Sequence, residues 1–286
     1  VTRLAAIVYS TDHDFYTGMA LTHLRATSDP ATTEIVVVDN GSQVPFSTFT
    51  WQGDRNIRYE ENIGGNAVFH RWLEDDWFED DLPDYLAFLH CDLMIHERGW
   101  DQRVIEAFDV DPKLDLLGFV GSNKIDHLGG RGDGTMLNYR GAFFDGIGQA
   151  SPAEEHGERI KGLKPAAVGD PGALVLRRTA LVQLPPQEGN YAPEHFYDRI
   201  LSCEVLRKGG HVAVLGIDCD HFSGGIGPGM ASADRLRRKW LDEEGIPYDP
   251  EDSYTAVYVE SEKRFFKEFQ GFFPLSVDAH YGVHHP

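Results

Sequence analysis

A chain of 286 residues, 41% hydrophobic and 25% charged, has the balance of a globular protein with ample length for one large domain or two small ones. Its net charge of −20 repels nucleic-acid backbones and anionic membrane surfaces, so a phosphate-bearing ligand would need a local cation. Three cysteines, an odd count, argue against a disulfide framework and for a reducing, cytoplasmic setting. No apolar run approaches the roughly 20 residues of a membrane helix, and no charged-then-apolar leader opens the sequence.

The first half alternates apolar strand-like runs with helical or loop segments. Residues 4–9 form a short strand of the buried kind, a polar loop follows at 10–14, and the spacing of Met19, Leu21 and Leu24 predicts a helix over 15–25. The β-branched run 35–38 ends in the turn cluster Asp39-Asn40-Gly41-Ser42. After the turn Asn62-Ile63-Gly64-Gly65-Asn66, the residues Phe69, Trp72, Leu73 and Trp77 fall on one predicted helical face. Residues 85–89 read as a strand running into His90-Cys91-Asp92, and 114–120 repeat the pattern. Strands alternating with helices at this spacing predict an α/β fold built on a parallel sheet. From 121 to 164 glycine is frequent and periodicity poor, as in a functional lid or binding loop. Order returns with a strand at 173–176, a helix around 197–208 and a strand at 211–215; a basic helix over 235–240 and an aromatic tail close the chain.

In open α/β sheets, ligands sit at the carboxyl ends of strands. Three polar clusters occupy such ends: Asp39-Asn40, His90-Cys91-Asp92 and Asp218-Cys219-Asp220-His221. Residues two apart on an extended chain share a face, so His90 and Asp92 point together while Cys91 turns toward the core. An Asp joined by a His from another strand suits Mn²⁺ or Mg²⁺, with phosphate oxygens and water in the remaining positions. A packed strand-end histidine and a turn carboxylate are the plain readings of the same residues. The acidic run at 74–81 and the basic patch Arg235, Arg237, Arg238 and Lys239 read most simply as solvated surface.

The order of these segments resembles the inverting family-two glycosyltransferases of the GT-A fold, over roughly residues 4–225. The run Ile35–Ser42 is similar to that family's nucleotide-binding segment, and Asn62-Ile63-Gly64-Gly65 to its next motif, most of all in rhamnosyl- and galactofuranosyl-transferring members. Residues 85–92 take the place of the Asp-x-Asp metal motif, 171–178 that of the segment before the acceptor helix, 195–210 that of the segment bearing the base, and 220–225 that of a late metal-proximal His. The resemblance implies a GT-A-like, Rossmann-like, mostly parallel sheet flanked by helices: a catalytic domain over 1–225, divided into a nucleotide-sugar half (1–120) and an acceptor half (121–225), with a helical and aromatic extension over 226–286 packed on it. It implies transfer from a UDP- or dTDP-sugar to an acceptor hydroxyl, with inversion and with Mn²⁺ or Mg²⁺ held by Asp92 and His221. Asp39, Asn40, Asn62, Gly64, Gly65, His90 and Arg131 would then meet the donor, Asp39 by accepting the imide N–H of uracil or thymine. Here His90 stands where the family has its first Asp, which leaves it between contact with ribose or phosphate and binding of metal. Asp198-Arg199 stands for the usual Glu-Asp pair, so the base is Asp198, Glu194 or Glu204, with Asp198 aligning best. The acceptor stays open among glycan, small molecule, protein and modified nucleobase.

Other readings keep parts of this pattern. A sugar nucleotidyltransferase shares the fold type but carries a glycine-rich basic loop after its first strand, where this chain has Ser10-Thr11-Asp12-His13-Asp14. A non-catalytic nucleotide-sugar or carbohydrate-binding module would account for the divergent His90 and Asp198-Arg199. A zinc hydrolase would need His90, Cys91, Cys219 and His221 together, against the alternation that turns Cys91 away.

Overall fold

The apolar runs become the centre of a large sheet. In the computed structural model, which describes residues 3–46, 53–79, 81–126, 136–141, 154–185, 191–222 and 231–284, β1 (Leu4–Ser10), β2 (Thr33–Asn40) and β4 (Tyr85–His90) are almost wholly buried. β1 pairs in parallel with β2 and β4, and β3 (Arg55–Tyr59) pairs with β2 at the edge. The eight strands lie in the order Leu163–Pro165, His211–Leu215, Leu114–Gly118, Ala173–Arg177, β4, β1, β2, β3. Ala173–Arg177 is antiparallel to both its neighbours, and Leu163–Pro165 is antiparallel at the other edge. The sheet is therefore mostly, not wholly, parallel.

Alternation along the strands divides the core into two layers. Leu4, Ala6 and Val8 of β1 face α1 (Asp14–Thr27) and α3 (Trp100–Val110), packing with Leu21, Leu24, Trp100 and Val104. Ala5 and Ile7 face the other side, where α2 (Gly65–Glu74), α5 (Tyr197–Arg207) and α7 (Ser253–Phe269) supply Phe69, Trp72, Ile200, Leu201 and Phe265. The short α4 (Arg178–Leu181) follows the antiparallel strand directly. α6 (Ala231–Glu243) and α7 form the C-terminal part, and α7 is capped by Asp252, whose side chain accepts the Thr255 N–H. The aromatic tail is thus a helix whose Phe265 and Phe269 join the main core, followed by the strand Leu275–Val277, which pairs with Lys124–Ile125.

Three expectations change. The stretch 121–164 is not one structureless loop: strands of two or three residues stand at Gly121–Ser122, Lys124–Ile125, Met136–Leu137, Tyr139–Gly141, Glu154–His156 and Leu163–Pro165, too short to leave any periodicity. Leu73 does not share the buried face of Phe69 and Trp72; it is half exposed, and Trp77 is buried beyond the helix end. β3 and α3 join the list of elements, the first because its alternating polar residues lie on an edge, the second on the apolar spacing Trp100, Val104, Ile105, Phe108. Among the described residues, no helix is long and apolar enough to cross a membrane.

Candidate active site

The end of β4 and a strand from far along the chain meet at three side chains. The strand Cys219–His221 pairs antiparallel with Leu93–Ile95, opposing His221 to Leu93, and the Phe222 N–H donates to the Asp92 carbonyl. The His90 N–H donates to the carbonyl of Gly172, which immediately precedes the neighbouring strand Ala173–Arg177. His90, Asp92 and His221 consequently converge, each offering one ligand atom within 4.8 Å of the others. Asp92 Oδ1 lies 3.2 Å from His221 Nε2 and 3.8 Å from His90 Nδ1, and the two imidazole nitrogens are 3.3 Å apart.

Neither imidazole is aligned for a hydrogen bond to this carboxylate oxygen. Asp92 is 1% exposed, yet its Oδ1 has no hydrogen-bond partner. A buried carboxylate oxygen left so is costly unless a cation meets it. With metal–ligand bonds of about 2.1 Å, adjacent ligand atoms stand roughly 3.0–3.4 Å apart, close to two of the three separations here. The residues fit a divalent ion. Electrostatics agree: burial pushes His90 down to about 4, leaving its ring neutral with a lone pair to offer. Burial alone would raise the Asp92 carboxyl, but His221 and then His90 hold it below its ordinary value. Burial likewise would lower His221, and the Asp92 carboxylate raises it instead.

Surrounding residues fix this cluster. His90 Nε2 is 2.8 Å from the Tyr197 hydroxyl, which is hydrogen-bonded at 3.0 Å to that of Tyr9. With Nδ1 turned to the cluster as an acceptor, Nε2–H donates to Tyr197; an outer partner of this kind fixes ring orientation and tautomer. Asp170, also buried, accepts the Gly172 N–H at 3.1 Å and raises the pKa of His221 through its charge. Gly172 packs directly against both groups: a Cβ there would stand at contact distance, 3.4 Å, from Asp170 Oδ1 and His221 Nδ1. Cys91 and Cys219 pack in the apolar layer, burial raises the Cys91 thiol to about 12, and the ligand set contains no thiol, which removes the zinc-hydrolase arrangement.

A cavity of about 240 Å³ opens over His90. Its wall includes Tyr9, Asn40, Asn62, Glu194, Tyr197 and Arg237. α2 and α5 both begin at it, with Gly65 and Tyr197, so the positive ends of two helices face it. Asn40 and Asn62 are locked together: Asn40 Nδ2 donates to Asn62 Oδ1, Asn40 Oδ1 accepts the Ile63 N–H, and Asn62 Oδ1 accepts the Gly64 N–H. Gly64 has φ +84°, and a Cβ there would stand 2.6 Å from the Pro193 Cβ; only glycine permits this close approach of α2 to the segment bearing Glu194.

Other expected site residues lie elsewhere. Asp39 is 4% exposed and off the cavity wall: Oδ1 accepts the Ser42 N–H, and Oδ2 accepts the Phe46 N–H and a charged bond from Arg58. It braces the turn after β2. Asp198, the best-aligned base, is buried in the first turn of α5 and does not line the cavity, whereas Glu194 does. Glu204 is buried and paired with Arg207 on its own helix. Asp220 pairs with His96. Arg131 lies outside the described residues. The basic patch is not wholly solvated: Arg237 is 5% exposed and on the cavity wall. Its spacing from Ala233, Trp240 and Leu241, the buried stripe of α6, was the available signal. Tyr197, Asp170 and Arg237 are additions to the site.

No protein-family model matches the sequence, and no curated protein matches it either. Solved structures do. A structure of GalNAc-T7 with UDP, GalNAc and Mn²⁺ superposes on 94% of this chain with a TM-score of 0.54 and 14% identity. A structure of S. aureus TarS residues 1–349 in complex with UDP superposes on 93% with a TM-score of 0.50 and 13% identity. The match spans 55% of the GalNAc-T7 chain and 72% of the TarS chain. The fold is GT-A-like: a large, mostly parallel sheet flanked by helices.

Proposed function

We propose that this chain is a metal-dependent glycosyltransferase that takes a sugar from a UDP- or dTDP-linked donor. The observation that carries the reading is the convergence of His90, Asp92 and His221, with its orphaned carboxylate oxygen, beside a cavity at the strand ends of a GT-A-like fold. Asp92, His221 and His90 would hold Mn²⁺ or Mg²⁺; His90 thereby moves from donor contact to ligand. When bound, a divalent ion there neutralises the diphosphate of the donor and of the departing nucleotide. The GalNAc-T7 structure, which contains UDP and Mn²⁺, supports the same pairing here.

The chain's own residues supply the rest. The starts of α2 and α5 add positive potential to a cavity in an otherwise acidic protein. Asn40 and Asn62, held by their mutual bond, offer a fixed polar rim for the nucleoside, taking over the role expected of Asp39. Glu194 is the general base: it lines the cavity, and burial raises its carboxyl toward the range where a base works. It accepts the acceptor hydroxyl proton while that oxygen attacks the anomeric carbon opposite the leaving diphosphate, which inverts the centre.

A thermal-shift screen tests this. UDP- or dTDP-sugars should stabilise the protein in the presence of Mn²⁺ or Mg²⁺ and much less without the ion. If no nucleoside diphosphate raises the melting temperature under any of these conditions, the reading fails.

A further inference from the structure

Arg237 is the only Lys or Arg among the described residues lining the cavity. It comes from α6 in the C-terminal part, its side chain is 6% exposed, and Tyr254 of α7 lies under its guanidinium at 5.1 Å. Its Nε donates to Glu194 Oε2 at 2.7 Å. The carboxylate assigned as base and the cation best suited to a phosphate are therefore joined to each other, on the wall of one small cavity. A guanidinium has five N–H donors, and a diphosphate, more highly charged and open to bidentate contact, is a stronger partner for it than a single carboxylate. His90 and Arg237 both line this cavity of about 240 Å³, so a diphosphate held beside His90 enters the space that the guanidinium borders.

Building on the glycosyl-transfer reading above, we propose that Arg237 is a positioning residue that latches Glu194 and is drawn off it by the donor diphosphate. Before the donor arrives, the guanidinium neutralises the carboxylate and fixes its direction. The entering diphosphate takes guanidinium N–H groups from Glu194, and the carboxylate, partly buried and no longer compensated, becomes a stronger base. The acceptor O–H bond then breaks with its proton going to Glu194, the oxygen bonds to the anomeric carbon, and the electron pair of the broken C–O bond leaves on the diphosphate. Arg237 meets the charge left there. The base is thus released only when a leaving group is in place, which restrains attack on an unsuitable ligand.

The latch predicts opposite effects from its two halves. In calorimetric titrations with UDP and Mn²⁺, Glu194→Gln, which keeps the side chain's size and removes the competing charge, should bind UDP about tenfold more tightly than the parent, the scale of one charged hydrogen bond. Arg237→Lys, which keeps the charge but loses the fork, should bind it about tenfold more weakly. Glu194→Gln should at the same time lose transfer. A purely structural pair would weaken UDP binding in both variants, and that result overturns the latch, as does unchanged binding in Glu194→Gln. Should the parent protein bind no nucleoside diphosphate at all, the glycosyl-transfer reading falls and the latch with it. A parent that binds UDP while Glu194→Gln binds it no better removes the latch alone.

Discussion

Two buried aspartates on either side of β1 show how similar positions come to do different work. Asp39 closes β2 and Asp92 follows β4, at 4% and 1% exposure. Around Asp39 the chain provides every partner itself: two backbone N–H groups and the Arg58 guanidinium. Around Asp92 it provides two imidazoles aimed at the same point and leaves Oδ1 without a hydrogen bond. The desolvation cost of a carboxylate must be offset in either case. Where the chain offsets it, the aspartate is a brace; where the chain stops short, an uncompensated oxygen is left, and on the proposed reading a cation would meet it with the aspartate as ligand.

That contrast can be broken by substitution. Asp92→Asn should have the largest effect: transfer should drop by more than the 10–100-fold typical of an outer-sphere change, and the Mn²⁺-dependent rise in melting temperature should vanish. Melting without added metal should barely change, and a variant that still responds to Mn²⁺ would erase the distinction. Asp39→Asn should act on stability instead. Its amide group turns a donor toward the donors of Ser42, Phe46 or Arg58, which should cost about 2–3 kcal/mol in urea unfolding, less than a fully buried pair because Arg58 is partly exposed. UDP affinity of the folded fraction should be unchanged; a stable variant with weakened UDP binding would return Asp39 to the nucleotide site. Tyr197→Phe should do least, loosening His90 and lowering Mn²⁺ affinity about tenfold with the fold intact, as read by paramagnetic titration. Unaltered affinity would mean that His90 needs no outer partner.

Much of this contrast, but not all, could be read before the fold was known. The apolar runs of β1, β2 and β4 declare themselves because both faces are covered, and the two-residue alternation correctly sets His90 beside Asp92. β3 hides because an edge strand with polar residues at alternate positions has no apolar run to show. The saturation of Asp39 depends on Arg58, nineteen positions away on a neighbouring strand, and no local motif records it. Arg237 reads as surface along the linear patch but not around the helix; an arginine on an apolar stripe needs a partner for its charge, and Glu194 is one. Tyr197 sits within a recognised segment, but its hydroxyl acquires meaning only from the placement of β4 against α5.

His90 and His221 are 131 positions apart in the chain and come from different sheets. Closing a loop of that length is one of the slower, entropically costly events in folding, and the antiparallel pairing that seats His221 requires β4 and Leu93–Ile95 to be in place. The cluster is therefore a product of long-range assembly, and an extended chain offers a cation only scattered, unconverged ligands. If the proposed metal site holds, metal affinity would report on topology: it would measure whether the two sheets have found each other.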